Sequence, residues 1–200
     1  MSTTFAINWD YKCPFARNAH EHLVTALKAG ADWNVDFIPF SLTQTHIPED
    51  HPSVFEDPDR SDDLLAVSTG LVVKELYPEL FLDFHVSMFA ARHDKGNDIS
   101  DWNVISSVLS EFDIDSTKVM EQIDAGWPRD RYREGHMESV EAYQVFGVPT
   151  IFAAGTGTFV RVMTRPSDDA AYSTRLLGRV LESILDFPEL NEVKQTQIAR

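Results

Sequence analysis

The chain has one cysteine in 200 residues, Cys13. A single thiol excludes any disulfide within the chain and fits a reducing compartment. Basic residues are also scarce, 17 Lys and Arg against 32 Asp and Glu, which gives a formal net charge of −15. Nucleic-acid phosphates would repel such a surface, so no nucleic-acid partner is expected. The local basic cluster Arg129, Arg131 and Arg133 is interleaved with Asp130 and Glu134, and reads as a solvated helix start. No run reaches the ~18 apolar residues of a membrane span. The first residues carry no basic segment leading into an apolar one, so no secretory signal is expected and a cytoplasmic location is.

What remains is 43% hydrophobic, enough for one compact domain with a sizeable insertion. Phe5, Ile7 and Trp9 alternate as a strand. A helix follows, with Pro14 in its first turn, an apolar face of Phe15, Ala19, Leu23, Ala26 and Leu27, and Gly30 as its stop. Val35, Phe37 and Phe40 mark a second strand, and a β-α-β unit of this kind is expected to be parallel. Residues 43–63 read as a long surface loop and 64–145 as an all-helical block, with Ser100 capping Asp101–Phe112. Gly155-Thr156-Gly157 then turns between strands at Ile151–Ala154 and Phe159–Met163, and Ser167 caps a last helix. Its inward residues are expected at Leu176, Leu177, Val180, Leu181, Ile184 and Leu185.

Cys13 opens the first helix, where unpaired backbone N–H groups and the positive end of the helix dipole stabilise a thiolate. An acidified, nucleophilic thiol is the expectation. The plain alternative is an inert buried cysteine. Lys12 and Arg17 add positive charge nearby, or are solvated, and Asp10 opposes them. Tyr11 and Phe15 form an apolar rim for a substrate, or belong to the core. Pro149 stands just before a buried strand, where its missing N–H calls for a special turn.

The segment Cys13-Pro14-Phe15-Ala16 after the first strand, and Gly147-Val148-Pro149-Thr150 before the third, resemble the thioredoxin fold in its DsbA-like branch. The helical block between them is similar to that branch's insertion, as are the runs Met88–His93 and Asn97-Asp98-Ile99. The resemblance implies an α/β, thioredoxin-like fold, β-α-β then β-β-α, at 1–60 and 146–200, with the insertion at 61–145. It implies a cis Pro149 beside the sulfur and backbone groups of Val148 that pair with a thiol substrate. Tyr11, Pro14, Phe15 and Arg17 complete the implied thiol-binding site.

Ala16 departs from the dithiol pattern, because a methyl group stands where a resolving cysteine would attack a mixed disulfide. Dithiol chemistry on this chain alone is excluded. The leading expectation is therefore a DsbA-like oxidoreductase acting through Cys13, with glutathione or mycothiol as resolving partner. The alternatives are a thiol-dependent transferase or isomerase similar to kappa-class glutathione transferases and hydroxychromene-carboxylate isomerases, and a non-catalytic binding module. The run Asp186–Lys194 is similar to actinobacterial DsbA-like reductases that use mycothiol. No bound cofactor is expected, and the partners are small thiols or disulfides, with the chain a monomer or homodimer.

The histidines assemble into nothing convincing. His20 and His22 lack the four-residue spacing of a helical zinc pair, His85 reads as a satisfied core residue, and His46 and His51 sit in the acidic loop. No metal site is expected.

Overall fold

Strand β1 (Thr3–Trp9) is one of the two inner strands of the four-stranded sheet, and its last three residues are buried. The computed structural model describes residues 2–48, 50–195 and 197. After β1 come α1 (Pro14–Lys28), β2 (Trp33–Pro39), the short α2 (Leu42–Thr45), and then α3 (Leu65–Leu76) and α4 (Pro78–His93). The chain continues through α5 (Trp102–Ser110), α6 (Ser116–Asp124) and α7 (Trp127–Tyr143) to β3 (Thr150–Ala153), β4 (Thr156–Phe159) and α8 (Ala170–Asp186). The sheet order is β2-β1-β3-β4. β1 and β2 pair in parallel with Phe5 opposite Val35 and Ile7 opposite Phe37, while β3 is antiparallel to both β1 and β4. This is the expected β-α-β then β-β-α frame, and no described residue between β2 and β3 is in a strand.

Phe5, Ile7 and Trp9 alternate onto one face of β1, where Trp9 meets Phe37, Phe81 and His85 edge-on. On the other face Ala6 stands opposite Phe152, which meets Tyr143 of α7 edge-on. α1 is covered on nearly every side. Its buried set includes Asn18, His20, Glu21 and His22 besides the expected Ala19, Leu23 and Ala26, because α4 and α8 pack against the flanks a surface helix would expose. A helix in that position must satisfy its polar residues internally.

The boundaries differ from expectation in four places, each for a local reason. The hairpin turn is Ala154-Gly155, with φ of 50° and 77°, so two residues suffice and β4 starts at Thr156. Beyond Phe159 only Val160 N still bonds the sheet side, at Pro149 O, and residues 160–163 form no strand. That segment turns to α1 instead, with Asn18 Nδ2 donating to Val162 O and His22 Nε2 to Thr164 O. The caps of α5 and α8 are Asp101 and Asp169, whose carboxylates accept helix N–H groups more strongly than the neighbouring serines would. The loop 43–63 holds α2, part of a 3₁₀ turn over Pro58–Leu64, and the fully buried Val54. Of the expected inward face of α8, Leu177 and Leu181 are buried but Leu185 is exposed.

Candidate active site

Cys13 is the N-cap of α1, with extended backbone (φ −94°, ψ 120°). Its sulfur accepts the Ala16 N–H at 3.4 Å, and its S–H reaches Val148 O at 3.4 Å, 135 positions away in sequence. The Val148–Pro149 peptide bond is cis, and both residues are buried. Among the described residues the Val148 N–H has no protein acceptor. The geometry thus brings Cys13, Val148 and Pro149 to one point, with Pro14 exposed and Phe15 half-buried beside them.

The electrostatics correct the expectation of an acidified thiol. Burial leaves Cys13 7% exposed and pushes the thiol above its ordinary value. The Ala16 and Phe15 N–H groups pull it back without reversing the shift, Asp10 adds to the rise, and Arg161 opposes it. Desolvation of the charged form outweighs the helix N-terminus here. Burial thus favours the protonated form of the resting thiol.

Three expected partners stand elsewhere. Tyr11 is fully buried behind the sulfur, its hydroxyl 2.8 Å from His85 Nδ1, so it is core and not rim. Arg17 bonds Glu21 and Asp94 in a four-membered network with Arg165, which turns its charge away from the thiol. Lys12 Nζ contacts Asp63 at 2.6 Å and Thr43 at 3.1 Å. Long flexible cations go to the nearest carboxylate, and this chain is rich in them. Ala16, with zero exposure, fills the place of a second thiol.

Behind the site runs a polar chain that sequence reasoning missed. The Asn8 carbonyl can only accept, so His20 Nε2 carries the proton of their 3.0 Å bond. A neutral His20 then accepts at Nδ1 from His85 Nε2–H (3.0 Å), and His85 Nδ1 accepts from the Tyr11 hydroxyl. Each proton position follows from the one before. Burial holds both rings neutral, His20 down to about 4 and His85 well below its ordinary value. The Asn8 side chain clamps the proline loop, accepting from Thr150 N at 2.6 Å and donating to Gly147 O at 3.3 Å. His85 is a satisfied core histidine as expected, but His20 and His85 do assemble. The only signal in the sequence was two histidines on apolar faces, whose pairing across 65 positions no spacing rule shows. His22 is used separately, between Ser173 Oγ and Thr164 O.

A second missed group borders Cys13. Arg161 lies over the Phe15 ring at 4.6 Å and near Phe159 at 5.6 Å, and Phe159 packs on Phe146, which is 73% exposed. Two concavities lie elsewhere, one between the sheet face and α7 beside Tyr143 and Phe152, the other between α1 and α4. Neither is lined by Cys13, Val148 or Pro149. Among the described residues no group of three or more His, Cys, Asp or Glu could hold a metal ion, and no helix is long and apolar enough to cross a membrane.

A sulfur capping the first helix of this frame, against a cis-proline loop, defines a thioredoxin-like protein. The model of the DSBA-like thioredoxin domain matches residues 6–170, and the chain belongs to that family. Among solved structures it is similar to Pseudomonas aeruginosa DsbA (TM-score 0.62, 15% identity, 94% of this chain and 84% of that one). It is also similar to α-DsbA2 from Wolbachia pipientis, a thiol-disulfide exchange protein (0.60, 16%, 92% and 82%). A 2-hydroxychromene-2-carboxylate isomerase is similar to the same degree (0.61, 15%, 92% and 98%). These identities speak to the fold alone. No curated protein sequence matches the chain.

Proposed function

We propose that this chain is a thiol-disulfide oxidoreductase that works through Cys13 alone and uses a low-molecular-weight thiol, such as glutathione or mycothiol, as its resolving partner. Cys13 first gives up its proton to solvent, and its thiolate then attacks one sulfur of a disulfide substrate, forming a mixed disulfide and releasing the other half as a thiolate. The small thiol then attacks the substrate's sulfur in that mixed disulfide, regenerates the Cys13 thiolate and leaves as a new disulfide. The observation that carries this reading is the sulfur at the helix N-cap, 3.4 Å from Val148 O, with the Val148 N–H open for a strand-like pair with the incoming thiol and Ala16 beneath. A reducing compartment, the cytoplasm, suits a lone thiol of this kind.

The raised thiol favours a second reading, shared with the isomerase-like structure. A protonated Cys13 would donate its S–H to the thiolate of a bound reagent, with no covalent bond to the protein. Replacement of Cys13 separates the two. Exchange through sulfur requires that C13A and C13S both lose ~100-fold or more in glutathione- or mycothiol-dependent disulfide reduction. A C13S enzyme that stays within about tenfold of the native rate while C13A fails would establish the donor role instead, because serine keeps the hydrogen bond.

A further inference from the structure

We infer that Arg161, held between Phe15 and Phe159 beside Cys13, binds a carboxylate on the disulfide that the thiol attacks, and that the Phe146–Phe159 pair carries the flat apolar body of the same substrate. The inference deepens the reading of Cys13 as an exchange thiol and rests on it for the reaction, though not for binding.

Charge supplies the first argument. Acids outnumber bases 32 to 17, so carboxylates compete for every cation near the site. Nine Lys and Arg residues are held in ion pairs, including Lys12 and Arg17 on either side of Cys13 and Arg165 four residues beyond Arg161. Among the described residues Arg161 is in none of those pairs, and it is exposed over the ring of Phe15, two residues from Cys13. Geometry supplies the second. Two aromatic rings, 4.6 Å and 5.6 Å from its Cζ, already restrict the guanidinium, so less freedom is lost when its N–H fork meets a carboxylate. The third is the adjoining surface. Phe146, 73% exposed, lies 5.0 Å from Phe159 and immediately precedes Gly147-Val148, so an apolar body there would lie beside the backbone that receives the reacting sulfur.

Two aromatic disulfides, one anionic and one neutral, test the reaction. 5,5′-Dithiobis(2-nitrobenzoate) is an aromatic disulfide with two carboxylates, and 4,4′-dithiodipyridine is a neutral aromatic disulfide. Cys13 is the only thiol, so each second-order rate reports on it alone. R161Q is expected to lower the rate ratio of the anionic to the neutral reagent by roughly tenfold, the effect of one charge-assisted contact at an exposed site. Equal losses with both reagents, or no loss with either, would overturn the carboxylate assignment. The second arm needs no reactivity. In C13A protein, NMR titration with benzoate is expected to shift the Arg161 Nε–H and Phe146 amide signals, with benzamide and the C13A/R161Q protein giving none. Absence of the benzoate shift overturns the inference whatever the thiol does. A benzoate shift with an inert Cys13 leaves the subsite standing and removes the exchange reading.

Discussion

Acid should unfold this protein through its histidines before its carboxylates. His20 and His136 are held neutral down to about 4 by burial, and His85 is displaced in the same direction. In the unfolded chain each ionises near ~6.5. Above that value both states are neutral and the full stability is present. Below it the unfolded chain binds protons that these three folded rings refuse, His20 and His136 until about pH 4, and His22 and His93 are displaced the same way, so stability falls as the pH drops through that window. Each proton contributes about 1.4 kcal/mol per pH unit, so three give ~4 kcal/mol per unit and ~6 kcal/mol between pH 6 and 4.5. That is a large share of the ~5–15 kcal/mol of an ordinary domain. Carboxylates do not mimic this window. Burial displaces Asp10 upward, which gives the opposite slope, and bonds from Ser100 displace Asp98 downward, so its contribution is lost only at lower pH. The assay is urea denaturation at pH 7, 6, 5 and 4.5 followed by tryptophan fluorescence. His136→Gln, which keeps a polar group near Ser41 N, should remove about one proton's share of the slope, ~1.4 kcal/mol per pH unit. A native slope below one proton, or no change in the variant, would refute the assignment of neutral buried rings.

Other perturbations follow from single contacts. Asn8→Ala orphans the buried Thr150 N–H and should cost ~2–4 kcal/mol, lowering Tm by roughly 5–15 °C in a scanning calorimeter. A loss under ~1 kcal/mol would mean the clamp on the proline loop is not needed. Gly70→Ala places a Cβ 2.7 Å from the Tyr11 hydroxyl oxygen, which should destabilise by ~1–3 kcal/mol and be partly relieved by adding Tyr11→Phe. Additive losses in that pair would contradict the predicted clash. Ala16→Cys restores a second thiol one turn below Cys13, and its oxidised form should lose both thiols to Ellman titration and shed a glutathione adduct spontaneously. Alkylation of native Cys13 should rise with pH beyond the ordinary thiol range, with less thiolate at pH 7 than the ~3% of a free cysteine. A titration below ~8 would show that the helix N-terminus, not burial, controls the sulfur.

The frame was legible because its determinants are local. Phe5, Ile7 and Trp9 announce a strand by alternation, Pro14 and Gly30 bracket α1, and two proline motifs flank the helical block. The sulfur's position at the N-cap was legible for the same reason. Its protonation was not, because desolvation depends on what α1, the proline loop and Arg161 together exclude from water, and no window of sequence reports that. The partners of charged side chains were equally hidden. Arg17 is one turn from Cys13 in sequence, yet Glu21 and Asp94 claim it, while Arg161 arrives from beyond β4, in a segment wrongly expected to be a strand. The Tyr11–His85–His20–Asn8 chain likewise depends on α4 crossing α1, a packing detail that apolar periodicity leaves open.

The central claim is that the Cys13 sulfur forms and breaks the covalent bond. The most direct measurement is rapid-quench intact mass spectrometry of the native protein mixed with oxidised glutathione and then chased with reduced glutathione or mycothiol. A single adduct on Cys13, formed and released no more slowly than steady-state turnover, is the predicted result. Turnover that proceeds with no adduct at any time would contradict it.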